Sequence, residues 1–241
     1  MQRSTASNRA ANHCNRKWVV IIIKGIIVLL LFYLINFTFW DVLVNHQIAT
    51  PQWASFIVYA SLFIVVLAFY WKHLGEQWRN FHKQRPVIHK FLLELLLWTI
   101  GGTSSTLLVI VIFGNLLGID LLSQNQENLN QFVEQLPEVL SFCMMALFGP
   151  VIEELVFRQG LIGWVNRGNR WLFVLMTALS IFLFDIIHIF HLTEFWYYLP
   201  MSLALTMFYL KYERNVWSSI LFHSFNNAAG VLLMIFQRLI S

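Results

Sequence analysis

The stretch Pro150-Val-Ile-Glu-Glu-Leu-Val-Phe-Arg158 places two adjacent glutamates and an arginine inside a run that is otherwise apolar on both sides. A charged side chain at the centre of a membrane helix costs about 2.5–3.5 kcal/mol on insertion scales. Charges in such a run therefore pair, line a cavity or take part in chemistry. The other polar residues of the chain matter mainly as partners for Glu153 and Glu154.

The composition is typical of a polytopic membrane protein. Of the 241 residues, 58% are hydrophobic and only 12% are Asp, Glu, Lys or Arg, whereas a soluble domain has about 25% charged residues. Several apolar runs reach the ~20 residues that span a bilayer. We expect an all-α transmembrane helix bundle in the lipid bilayer, and the net charge of +4 gives no reason to expect a nucleic-acid partner. About seven spans are predicted, at 18–40, 53–71, 91–117, 139–165, 171–190, 195–210 and 216–236.

The loops between these spans alternate in charge. Basic residues lie at 1–17, 72–90, 167–170 and 211–214, and the intervening loops contain acidic residues without Lys or Arg. By the positive-inside rule, this pattern predicts a multi-pass protein of the cell membrane with a cytoplasmic N-terminus. Seven spans then put the C-terminus outside. The first apolar run exceeds the 7–15 residues of a signal-peptide core, so we expect it to stay uncleaved.

The chain divides into three parts. The segment 1–17 is a basic cytoplasmic tail, 18–138 holds the first three predicted spans, and 139–241 holds the four spans with polar residues in their interiors. Within the fourth span, Gly149-Pro150 interrupts the apolar run. Because proline is favoured in the first turn of a helix, we expect a new helix to start at Pro150.

The two glutamates of the fourth span are predicted to have different surroundings. Glu154 and Arg158 are four residues apart, so they share a helix face and can pair. Glu153 is rotated by about 100° and lacks that partner.

Two further spans bring polar residues to a similar depth. Counted from the basic turn at 167–170, Glu153 lies ~21 Å and His188 ~27 Å along their helices. His223 and Asn227 are four residues apart and share a face of the last span. Any one of these residues alone would be read as an interhelical hydrogen-bonding group. Paired carboxylates, two histidines and an amide in one layer indicate catalysis or proton handling instead.

Three spaced motifs follow one another on successive predicted spans. They are EExxxR at Glu153, Glu154 and Arg158, FxxxH at Phe184 and His188, and HxxxN at His223 and Asn227. In this order the motifs resemble the CPBP family, which comprises CAAX prenyl endopeptidases and bacteriocin-processing or immunity proteins. The resemblance covers 149–230. Asp185 departs from the small or apolar residue expected after Phe184, and it could orient His188 or face a polar cavity.

The resemblance implies an intramembrane endopeptidase that cleaves a membrane-associated protein or peptide, with a role in bacteriocin processing or self-immunity as one variant. It implies that Glu153 is the general base for a water, that His188 helps to hold this water, and that Glu154 pairs with Arg158. It further implies that His223 and Asn227 donate hydrogen bonds to the oxyanion. These roles suit amide hydrolysis, which needs an activated water and donors aimed at the developing negative charge.

A zinc-dependent variant is the alternative. Glu153, His188 and His223 could be three ligands of a catalytic Zn²⁺ that keeps a water in its fourth position. The sequence contains no HExxH motif, and we favour the mechanism without a cofactor.

Two functions other than proteolysis are also compatible with these residues. A proton-coupled transporter uses intramembrane Asp, Glu and His as a relay, but it predicts paired broken helices in two halves, and the sequence shows one break. A membrane immunity protein or regulatory protein without activity would not require the complete motif set.

Overall fold

A computed structural model describes residues 23–116, 118, 124–166 and 168–240, and these residues fold as a bundle of helices. The predicted tail at 1–17, the start of the first span at 18–22 and the loop around Asp120 lie outside the described residues. The helices are α1 (Ile23–Asn45), α2 (Pro51–Gln84), α3 (Ile88–Asn115), α4 (Gln124–Gln135), α5 (Glu138–Ile162), α6 (Arg170–Ile186), α7 (Phe195–Lys211) and α8 (Val216–Ile240).

The prediction of an all-α polytopic bundle is confirmed. Five helices (α1, α2, α3, α5 and α8) are long and apolar enough to cross a membrane. Helices α6 and α7 are apolar and have 17 residues each, which is the lower limit for a transmembrane helix. The seven predicted spans correspond to these seven helices. The crossing of α6 and α7 remains a prediction.

Helix α2 is longer than its predicted span. It has 34 residues and so extends over ~51 Å, well beyond the hydrocarbon core of a bilayer. Much of the basic segment predicted as a loop at 72–90 is therefore helical. Helix α2 ends at Gln84 because Pro86 disfavours helical geometry in the residue before it, and Arg85 is extended with φ −70° and ψ 146°.

The prediction of a new helix at Pro150 is wrong. Helix α5 continues through this residue, with helical angles at Phe148 (φ −65°, ψ −51°) and Gly149 (φ −52°, ψ −61°). The hydrogen bonding is of the wider π type in Cys143–Phe148 and again in Glu154–Ile162. A π turn before a proline gives its ring more room and tolerates its missing N–H, so the helix proceeds without a break.

Helix α5 is the centre of the bundle. Residues 152–162 form an unbroken buried run, and α1, α2, α6 and α8 surround it. The contact with α1 is a close backbone approach, since a Cβ atom on Gly25 would lie 2.5 Å from the carbonyl oxygen of Gly160. The large apolar side chains on the outward faces of the other helices are exposed. This distribution suits a bundle surrounded by lipid.

We expect α6 and α7 to cross the membrane as a hairpin. Reporter fusions after Lys83 and after Glu127 should report opposite sides, because the basic and acidic segments lie at opposite ends of α3. A fusion after His191, between α6 and α7, should report the same side as the Glu127 fusion. Alkaline phosphatase and green fluorescent protein serve as paired reporters. A His191 fusion on the Lys83 side would show that the hairpin does not cross.

Candidate active site

Glu153 lies where α5, α8 and the turn after α6 meet. Its Oε2 atom is 3.8 Å from His188 Nε2 and 3.7 Å from His223 Nε2. Glu153 and His223 are buried, and the side chain of His188 is 19% exposed. The separations exceed those of direct hydrogen bonds and leave the three groups around a common point. The structure thus brings together three residues that the sequence placed at a similar depth.

His188 lies beyond the end of its helix, because α6 stops at Ile186 rather than at residue 190 as predicted. Its Nδ1 atom is 2.7 Å from the carbonyl oxygen of Phe184. A carbonyl only accepts hydrogen bonds, so Nδ1 carries the proton, and Nε2 of the neutral ring presents a lone pair towards Glu153. Phe184 and Tyr198 pack against the ring with centroid distances of 4.7 and 5.3 Å.

Glu154 holds two partners at once. Its Oε1 atom is 3.5 Å from Arg158 Nη1 and 3.0 Å from His223 Nδ1, and its side chain is fully buried. The pair with Arg158 lies where the four-residue spacing predicted it. The contact with His223 was not predicted, because no local rule connects residues 69 positions apart. Glu154 therefore orients the His223 ring, leaving Nε2 to face Glu153.

Arg158 of α5 contacts residues of α6 and α7. It is fully buried, its guanidinium lies 4.1 Å from the centroid of the Phe184 ring, and its Nη2 donates to the carbonyl oxygen of Ser202 at 3.4 Å. Asp185 is also buried and faces Ser202 and Arg158. Because the ring nitrogens of His188 point at other groups, Asp185 does not orient that ring.

Asn227 is half-buried, one turn of α8 beyond His223. Its Nδ2 atom donates to the carbonyl oxygen of Met145 at 3.1 Å, and its Oδ1 atom accepts from Asn226 Nδ2 at 3.3 Å. An amide has two N–H donors, so the bond to Met145 fixes the group and leaves one N–H for a ligand.

The types of donor around Glu153 fit zinc. Two imidazole Nε2 atoms and a carboxylate are common zinc ligands, and each histidine has its Nδ1 held by an acceptor, as supporting groups hold ligands in metal sites. As the side chains stand, no group of three His, Cys, Asp or Glu in the described ranges converges closely enough to hold a metal ion.

Two aromatic residues near the site were missed in the sequence. Tyr198 stacks beside His188, and its hydroxyl accepts a hydrogen bond from Asn125 Nδ2 at 3.1 Å. Tyr59 of α2 lies beside Gly149 and close enough to Glu153 for an electrostatic interaction. Aromatic residues make up 16% of the chain, so neither tyrosine stood out from those that serve packing or interfacial anchoring.

Comparison with known proteins identifies the family. Residues 135–229 match the family model described as type II CAAX prenyl endopeptidase Rce1-like. The chain is similar to the UPF0177 protein YbdI of Lactococcus lactis subsp. lactis (strain IL1403), with 31% identity over 164 residues that cover 62% of this chain and 81% of the relative. No solved structure matches the chain. The chain belongs to the CPBP family, and its family-level class is that of CAAX-type intramembrane proteases.

The two glutamates should respond differently to substitution. We expect Glu154→Gln and Arg158→Ala to lower the amount of folded protein, because each leaves a buried charge without its partner, a loss of about 3–5 kcal/mol. Glu153→Gln should keep the abundance and abolish activity, since Glu153 is outside that ion pair. Protein level and peptide cleavage are measured separately for each variant. Normal abundance and activity in both Glu154→Gln and Arg158→Ala would refute this division.

Proposed function

We propose that the chain is an intramembrane endopeptidase that hydrolyses a peptide bond in a membrane-associated protein or peptide. The observation that carries the proposal is the approach of two imidazole Nε2 atoms to one carboxylate oxygen of Glu153, at 3.7 and 3.8 Å. A water between these groups would have Glu153 as its base and Nε2 of His188 as a second hydrogen-bond acceptor. This is the arrangement that activates water for attack on a carbonyl carbon.

In the proposed reaction Glu153 takes one proton from this water, and the Nε2 lone pair of His188 accepts a hydrogen bond from the other. The hydroxide adds to the scissile carbonyl carbon. Glu153 then gives its proton to the leaving amine as the C–N bond breaks, which restores the carboxylate. Base and acid are thus the same group, and no proton is left over at the end of a cycle.

The oxyanion of the tetrahedral intermediate would be held by His223 and Asn227. An ionised Glu154 only accepts hydrogen bonds, so Nδ1 of His223 is its donor. Donation from Nε2 as well requires that the ring carry two protons. Glu154 stabilises this imidazolium, whose charge then acts on the oxyanion in a site with little water. The remaining N–H of Asn227 supplies the second donor.

This mechanism needs no metal ion. If zinc were bound, Glu153, His188 and His223 would hold it, and it would supply Lewis-acid activation of water. We propose the cell membrane as the location, with the N-terminus in the cytoplasm, because the basic segments alternate along the chain. A prenylated CAAX protein and a bacteriocin precursor are the two substrate classes that follow from the family.

The function is tested with the purified chain in liposomes and two internally quenched peptides that end in the same CAAX tetrapeptide, one farnesylated and one not. Cleavage that depends on Glu153 supports the proposal, and the difference between the peptides shows whether prenylation matters. A well-folded protein that cleaves neither these peptides nor a bacteriocin precursor would favour the non-proteolytic immunity or regulatory alternative.

We expect Asn227→Ala to lower kcat by about 10²–10³-fold, the loss seen when one oxyanion donor is removed. KM should change little, because the bond forms fully only in the transition state. Asn226→Ala is the matched control: this neighbouring amide contacts Asn227 and is outside the proposed reaction. Steady-state cleavage of the better peptide is measured at equal amounts of folded protein. An Asn227→Ala rate within threefold of the parent would refute the role.

We expect purified protein to carry no stoichiometric zinc, and dialysis against EDTA to leave cleavage intact, because the proposed base is a carboxylate. Metal content by mass spectrometry and the cleavage rate are measured on the same sample. One zinc per chain that disappears in His223→Ala, together with activity, would replace the metal-free mechanism with the zinc variant and leave the protease assignment in place.

A further inference from the structure

Glu194 is a buried carboxylate that the proposed reaction does not use. It is 1% exposed and stands at the start of α7, where the sequence showed only an acidic residue of a loop. Its Oε2 atom accepts a hydrogen bond from the backbone N–H of Phe190 at 2.8 Å, and its Oε1 atom accepts from the backbone N–H of Gln124 at 3.1 Å. One side chain therefore joins two segments that are 66 residues apart in sequence.

Both N–H groups would otherwise lack a helical partner. Phe190 follows the end of α6, in the turn that carries His188, and Gln124 is the first residue of α4. The first N–H groups of a helix have no acceptor within the helix, and a negative charge is favourable at that end. Glu194 lies at the beginning of α4 and of α7, which explains how a carboxylate is tolerated in this buried place.

Helix α4 packs beside residues that contact the site, at the end of the bundle away from the basic turns. Its apolar face, including Val133, packs against Met144 and Met145 of α5, and Met145 supplies the carbonyl that holds Asn227. At its other end, Asn125 is hydrogen-bonded to the hydroxyl of Tyr198, whose ring packs against His188. The position of α4 therefore affects Asn227 through Met145 and His188 through Tyr198.

A neutral side chain would join these segments at a lower cost of desolvation, because burying a carboxylate is expensive. A single carboxylate, however, can accept both N–H groups with separate oxygens, and each bond to an ionised acceptor is stronger than a neutral one. An ionised carboxylate is therefore well suited to hold the Phe190 and Gln124 segments rigidly together. We call this pair of hydrogen bonds the Glu194 tie.

We propose that Glu194 is a positioning residue for the reaction. It fixes the turn that carries His188 and holds the start of α4 against Tyr198, so that Nε2 of His188 stays directed at Glu153. The proposal rests on the proposed function, because only a reaction at Glu153 makes this placement matter.

The first test does not need activity. Hydrogen–deuterium exchange of the purified full chain is compared between the parent and Glu194→Gln, with Glu134→Gln as the control because Glu134 is an exposed carboxylate on α4. The amides at 188–191 and 124–128 should exchange at least about tenfold faster in Glu194→Gln, since local opening sets their rate. Exchange in α5 and the thermal unfolding temperature should stay unchanged. Unchanged exchange in both segments would overturn the tie.

The second test separates positioning from a merely structural role. We expect kcat of Glu194→Gln for the quenched peptide to fall by about 10–100-fold with KM unchanged, because small misplacements of a catalytic group have effects of this size. Glu194→Asp should recover part of the rate, and Glu134→Gln should match the parent. Faster exchange with an unchanged kcat would overturn the positioning role. A parent protein that cleaves no peptide would refute the proposed function, while the exchange data would still decide the tie.

Discussion

The rest of the site depends on the buried carboxylate of Glu154. It has no exposure to solvent, and its stability depends on Arg158 and His223, which both contact its Oε1 atom, at 3.5 and 3.0 Å. Arg158 in turn reaches Ser202 of α7 and the ring of Phe184 on α6. The packing of four helices is thus coupled to a single negative charge in the centre of the bundle.

The adjacency of the two glutamates gives them different surroundings. On a helix, neighbouring side chains point about 100° apart, so Glu154 faces Arg158 while Glu153 faces His188 and His223. The same His223 ring contacts Glu154 through Nδ1 and approaches Glu153 through Nε2. A shift of the pair formed by Glu154 and Arg158 would therefore reach Glu153 through one rigid ring.

The predictions from sequence succeeded where local rules apply. Apolar length indicated the spans, and the four-residue spacing indicated the pair of Glu154 and Arg158. They failed where distant parts of the chain decide the geometry, as for the contact between Glu154 and His223. They also failed where a general rule met an unusual helix. Pro150 suggested a break, but the helix continues through it with π turns on either side. The charges before Gln84 suggested a loop, but α2 continues to that residue.

The close approach of Gly25 and Gly160 has a consequence for biosynthesis. Helix α1 leaves the ribosome before α5, and the glycine of α5 that it packs against is made 135 residues later, about 7–27 s at usual elongation rates of ~5–20 residues/s. During that interval α1 must remain helical in lipid without its contact with α5. The exposed side chains in the middle of α1, such as Ile26, Leu30 and Leu34, are apolar and suit contact with lipid. Because Gly25 has no side chain, α5 can then pack against α1 without displacing one.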